Sequence, residues 1–248
     1  MRHWLSRVDG LLRAERPSEL IERSSVGSRQ LILPIAALAA AYGVFMGTFA
    51  VRSRGLDGLA QLVASTVKVP LLVFLTAAVT LPSLYVFSAI LGSRLGLIHF
   101  VRVVSASCAI TSAVAASLGP ILGFFTVSTT SYAFMVLLNV GLLGVSGVVG
   151  TAYLMRMLGG VSRPVAVDAS EDAPRATPLH PARTRTDPTV RIVWVWIVLY
   201  AVVGVQMGWV LRPFIGEPGT LFSLLRPVKG NAAEAILGAT GRVLGVER

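Results

Sequence analysis

The chain has 248 residues, 54% of them apolar and only 14% charged, and it carries a net charge of +10. Soluble domains are about a quarter charged, so the deficit points to membrane residence, and the length suits one helical bundle without a large soluble domain beside it. The cations fall in short segments between apolar stretches. That pattern marks topology and meets anionic lipid headgroups, so nucleic acid is not an expected partner.

Residues 1–30 read as a cytoplasmic amphipathic segment. Trp4, Val8, Leu11 and Leu12 share one helical face, while Arg2, Arg7 and Arg13 lie largely off it. Such a helix lies in the membrane interface or packs on the cytoplasmic side of its own protein. The stretch is too polar to hold a signal-peptide core.

Residues 31–157 read as a four-span bundle. The first span, 31–51, carries Ala39, Gly43 and Gly47 at every fourth position, a ridge that lets another backbone approach closely. Residues 52–68 form a connector whose Leu56, Leu59, Ala60, Val63 and Val67 make a helical stripe, suited to the headgroup plane. The second span, 69–91, has Pro70 in its first turn and Pro82 in its middle, where the ring removes a hydrogen bond and kinks the helix. A short polar loop with Arg94, His99 and Arg102 follows.

Residues 103–155 then run for 53 positions without Asp, Glu, Lys, Arg or His. One straight helix of that length would be about 80 Å long, against a hydrocarbon core of about 30 Å. Two spans joined by a turn are therefore expected. Ser128, Thr129, Thr130 and Ser131 are the turn candidate. The first arm carries Ser105, Ser107, Thr111, Ser112 and Ser117, with Gly119-Pro120 expected to break or bend it. The second arm carries Asn139 and the candidate packing glycines Gly141, Gly144, Gly147 and Gly150, expected to cross the first arm closely.

Residues 158–191 read as a disordered Pro-rich cytoplasmic linker, with Pro164, Pro174, Pro178, Pro181 and Pro188 among mixed charges. The fifth span, 192–212, has Trp194, Trp196 and Tyr200 towards its start and Trp209 near its end, as interfacial aromatic belts do. Residues 213–248 form a non-cytoplasmic tail with a weak surface helix over 231–246. The fold class is thus all-α: a polytopic transmembrane helical bundle of five spans with interfacial helices. Lys and Arg number fourteen on the side of the N-terminus and eight on the other, which makes the N-terminal side cytoplasmic, puts the C-terminus outside and suits an inner membrane.

The chemistry-bearing residues are sparse. No acidic residue falls in an expected span, so the ionisable group that coupled carriers keep there is missing. No phosphate-binding glycine loop, paired-cysteine spacing, HExxH or Gly-x-Ser-x-Gly occurs. No catalytic residue, cofactor or metal is therefore expected. The intramembrane polar candidates are Asn139 and Gln206, which could contact each other across helices. Arg212 and Arg226 each sit in a Leu-Arg-Pro, where a planar guanidinium anchors the helix end or grips a phosphate or carboxylate.

Four segments carry a resemblance: Lys68-Val69-Pro70-Leu71-Leu72, Leu81-Pro82-Ser83-Leu84-Tyr85-Val86-Phe87, Leu137-Leu138-Asn139-Val140, and Gln206-Met207-Gly208-Trp209-Val210-Leu211-Arg212-Pro213-Phe214. Together they resemble a family of bacterial polytopic membrane proteins with no established activity. Some members of that family are assigned an actin-binding WH2-like motif. Its nearest counterpart here is Leu225-Arg226-Pro227-Val228, where proline replaces the second lysine. The five-span plan is similar in topology to the Yip-type membrane-trafficking family. The expected function is that of a non-enzymatic scaffold or accessory subunit of a membrane complex, contacting the bilayer, anionic headgroups and other membrane proteins or itself. A permease- or channel-like component is the alternative.

Overall fold

The computed structural model describes residues 28–90, 97–161, 188–216, 224–225 and 232–244. The amphipathic segment 1–30 (save its last three residues), most of the Pro-rich linker, and Arg226 lie outside them. The described residues form six α-helices and no strand: α1 Ser28–Arg54, α2 Leu59–Ile90, α3 Leu97–Ser128, α4 Tyr132–Val161, α5 Pro188–Val210 and α6 Ala232–Leu244. Three helical segments are long and apolar enough to cross a membrane: Gln30–Ser83, Phe100–Ser128 and Tyr132–Met157. A shorter apolar stretch covers Ile197–Val210.

The first of these segments is folded back on itself. A 3-10 turn, Gly55–Gly58, joins α1 to α2. Gly55 takes φ +64°, a conformation in which a Cβ is strained. At Gly58 a Cβ would strike the carbonyl of Ala50. Further along, a Cβ on Gly43 would lie 2.6 Å from the Ser65 carbonyl oxygen, and one on Gly47 would lie 2.5 Å from the Leu62 Cα. The ridge expected from Gly43 and Gly47 is thus the seam of an internal hairpin. This corrects the connector reading of 52–68. Those residues are the tip of two antiparallel helices, because the glycines let α2 start at Leu59 and pack at once on α1.

Contacts further along set the remaining directions. Leu31 and Ile35 cluster with Phe100, Val103 and Val104, while Phe45 lies against Gly119 and Gly123, so α1 and α3 run parallel. α4 returns alongside them: Met135 packs with Leu122, and Ser107 donates to the Gly150 carbonyl at 2.7 Å. α5 runs opposite to α2, with Gly204 beside Thr76. α1, α3 and α5 therefore point one way, α2 and α4 the other. α6 packs chiefly on α4, with Ala239 buried.

The hydroxyl turn falls where the uncharged stretch predicts it. α3 ends at Ser128 and α4 begins at Tyr132. The Phe134 amide donates to Ser131 Oγ at 3.3 Å, an N-terminal cap. The break that Gly119-Pro120 could make is absent, since α3 runs through it. Its physical role is contact: a Cβ on Gly119 would collide with the Phe45 ring. Pro70 likewise lies well inside α2 and not in its first turn.

Two apolar clusters fill the interior, one around Phe100, Ile110 and Met157 and the other around Tyr42, Met46, Leu122 and Met135. The outside is also apolar. Leu33 (68% exposed), Val63 (61%), Phe124 (66%) and Val148 (70%) all face outwards. Where both faces are apolar, close packing and buried hydrogen bonds decide the arrangement more than transfer out of water does.

Candidate functional site: a polar clamp on the end of α5

α2 has two faces. Leu56, in the turn before it, and Leu59, Val63 and Val67 are exposed, which corrects the expectation that this stripe marks a surface helix lying flat. Gln61, Ser65, Lys68, Thr76 and Thr80 lie on another face, at helical spacing, and all are buried. The polar face is inward and the apolar face outward.

What the polar face holds is a stretch of non-helical backbone. α5 stops at Val210; Leu211 N–H still donates to Met207 O at 3.0 Å and Arg212 N–H to Trp209 O at 3.4 Å, and Pro213 to Gly216 continue as non-helical backbone after a cis peptide between Arg212 and Pro213. Pro213 and Ile215 are buried, as are Leu211 and Gly216. Buried carbonyls without donors are costly, and at membrane depth irregular backbone is tolerated only inside protein or along a water-filled cavity. Three side chains of α2 supply the donors. Gln61 Nε2 donates to the carbonyls of Pro213 at 2.9 Å and Phe214 at 3.0 Å. Lys68 Nζ donates to Pro213 O at 2.8 Å. Ser65 Oγ donates to Phe214 O. From α4, Tyr132 Oη reaches Ile215 O at 3.4 Å. Gly216 then passes so close to α1 and α2 that a Cβ there would lie 3.1 Å from Ala50 Cβ and 3.2 Å from Gln61 Cγ.

Lys68 is the only lysine among the described residues and is 4% exposed. Its ammonium lies 6.0 Å from the centre of the Phe214 ring, and among the described residues no carboxylate pairs with it. The expectation that no ionisable side chain enters the bundle is corrected here. The arrangement binds chain to chain. Among the described residues no three His, Cys, Asp or Glu side chains come together as a metal site.

The residues singled out from the sequence separate. Asn139 is buried and accepts a 2.8 Å hydrogen bond from Tyr42 Oη, so its amide ties α4 to α1. Gln206 is exposed on the outer face of α5, and the expected contact between Asn139 and Gln206 does not form. Asn139 is inside the bundle and Gln206 on its surface. Arg212 stacks on Trp209, its guanidinium carbon 3.7 Å from the ring centre, as an arginine anchoring a helix end does. Among the candidate glycines, Gly150 meets α3, since a Cβ there would overlap Thr111 Oγ1. Gly141, Gly144 and Gly147 have nothing within 4 Å of an added Cβ. The expectation that the whole stripe crosses α3 is therefore corrected: a three-residue period drifts around a 3.6-residue helix, and only its last member reaches the neighbour.

The hydroxyls of α3 are mostly occupied locally. Ser105, Thr111 and Ser117 bond carbonyls of their own helix, and Ser107 bonds across to α4. Ser112 Oγ, like Thr76 Oγ1 of α2, is buried without a partner. The lone Cys108 is buried in the core cluster against which Tyr200 packs.

No family model, no curated protein and no solved structure matches this chain. What the described residues define is an all-helical fold with three apolar helical segments of membrane-spanning length. Inside it, Gln61, Ser65 and Lys68 clamp the chain's own Pro213 and Phe214 carbonyls. Sequence reasoning passed over Gln61, Ser65 and Lys68. The signal was their spacing, four and then three residues, opposite a clean apolar stripe.

Proposed function

We propose that the chain is a non-enzymatic, multi-pass protein of a bacterial inner membrane that acts as a scaffold or accessory subunit of a membrane complex. α1 to α5 are its five passes, with the N-terminus cytoplasmic. The alternation of helix directions supports that count, the hairpin at Gly55–Gly58 dividing the first apolar segment into two passes. The resemblance to the uncharacterised bacterial family belongs to the same proposal.

One observation carries the scaffold reading. Gly141, Gly144 and Gly147 present open space on the outer face of α4, flanked by exposed Val140, Val145 and Val148. In lipid, a helix face of small residues is where another helix approaches. The exposed amide of Gln206 on α5 adds a polar group that hydrocarbon does not satisfy and a second protein would. Cysteine introduced by Gly144→Cys should crosslink in native membranes to a second copy or to another membrane protein, and Gly144→Ile should abolish the association. Purification as a lone monomer that moves solute across liposomes would overturn the scaffold reading.

Lys68 favours the permease- or channel-like reading, because a buried cation between helices is often part of a transport path. Its bond to the Pro213 carbonyl weighs against it. Flux that disappears in Lys68→Met liposomes would select transport.

A further inference from the structure

A groove of about 700 Å³ opens on the outside of the bundle between α1, the start of α2 and the end of α3. Its walls include Phe45, Leu59, Leu62 and Val127. The two hydroxyls in the lining do not make it polar, because Thr48 Oγ1 donates to Phe45 O at 2.6 Å and Thr126 Oγ1 to Leu122 O at 3.0 Å. At one wall Phe45 lies directly on α3, because α3 has glycine there: a Cβ on Gly123 would sit 3.0 Å from the Phe45 ring. Volumes of about 300–1,000 Å³ are those of small-ligand sites.

One cation lines this groove. Arg52 sits in the last turn of α1, is exposed, and makes no hydrogen bond or ion pair among the described residues. It lies beside the Gly55–Gly58 turn, at the end of a long apolar hairpin, which is where such a hairpin meets headgroups. An apolar trough ending in an unpaired guanidinium has the polarity of one molecule already present in a membrane. We infer that the groove holds an anionic phospholipid, with one acyl chain along Phe45, Leu62 and Val127 and the phosphate on Arg52. A planar guanidinium grips phosphate oxygens through two parallel hydrogen bonds, and each methylene buried in the trough adds to retention. The inference rests on the membrane reading above.

The test uses the full chain in phosphatidylcholine nanodiscs doped with a phosphatidylglycerol that bears a photoreactive group on one acyl chain. Labelling should concentrate on the groove walls. Arg52→Gln should lower the phosphatidylglycerol yield about tenfold, in proportion to a lost hydrogen bond to a charged group, while a diacylglycerol probe of the same tail, which has no phosphate, is unaffected. Val127→Trp, at an exposed lining position, should fill the trough and lower the yield of both probes. Arg156→Gln, an exposed arginine at the opposite end of the bundle, should change neither. Labelling spread evenly over the outer surface, or a yield indifferent to both Arg52→Gln and Val127→Trp, would overturn the site. So would full competition by inorganic phosphate, which would assign Arg52 to a soluble anion. A chain that does not enter the nanodisc at all would instead overturn the membrane reading.

Discussion

Lys68 Nζ donates to the carbonyl oxygen of Pro213 at 2.8 Å across 145 residues of sequence. The bond ties the beginning of the bundle to the end of α5. It places a cation in the interior, where the neighbouring Gln61 amide donates to the same oxygen. Two donors on one carbonyl make the contributions of Lys68 and Gln61 separable.

Lys68→Met should change stability by no more than about 1 kcal/mol, because removing a charge-assisted hydrogen bond is offset by removing the desolvation of a buried cation. Gln61→Leu should cost more, about 1–3 kcal/mol, since it deletes a neutral donor that serves the buried Pro213 carbonyl and the half-buried Phe214 carbonyl and recovers no desolvated charge. Unfolding of the purified protein in detergent would rank the two. The reverse order would mean that Lys68, and not Gln61, holds the segment.

Tyr42→Phe leaves the Asn139 carbonyl without the donor it has at 2.8 Å. Interhelical hydrogen bonds in membrane proteins contribute about 0.6–1.7 kcal/mol, so a double-mutant cycle of Tyr42→Phe and Asn139→Leu should give a coupling in that range. A coupling near zero would mean that the pair is not formed in the membrane.

The glycines of α4 should respond in opposite senses. Gly150→Ala puts a methyl group on Thr111 Oγ1, which itself bonds Ser107 O at 3.0 Å, and overpacking of this kind costs about 1–3 kcal/mol. At Gly144 the space is open, so Gly144→Ala should leave the monomer as stable or up to about 1 kcal/mol more so, by helix propensity alone. Thermal unfolding of both variants decides it.

Helix direction predicts sidedness. Leu56 lies in the turn between α1 and α2, and Arg156 lies near the end of α4, next to Met157 in the cluster that holds Leu31 and Phe100. The two sites lie at opposite ends of the bundle, so in the proposed orientation Leu56→Cys should react with an impermeant maleimide from outside the cell and Arg156→Cys only after permeabilisation. Buried Cys108 stays silent in both. Reaction of both from the same side would break the five-pass arrangement.

The helices themselves, and the turn at Ser128 to Ser131, were legible in the sequence, because an uncharged stretch of 53 residues is too long for one bilayer crossing and hydroxyls cap a helix start. Gly43 and Gly47 were legible as a packing ridge, and Asn139 as an interhelical hydrogen-bonding group. Their partners were not, since spacing along one helix says nothing about which neighbour comes to it. Asn139 found Tyr42 in α1, Gln206 turned outwards, and three of the four α4 glycines faced open space.

α2 marks the division between the two levels. Periodicity alone determined that Leu59, Val63 and Val67 share one face and Gln61, Ser65 and Lys68 another. Only the tertiary structure decided which face is inside. In water the apolar stripe would turn inwards; in a hydrocarbon surround it gains nothing by doing so. The carbonyls of Pro213 and Phe214, left without helical partners where α5 ends, need donors, and that need turns the polar face of α2 to the interior.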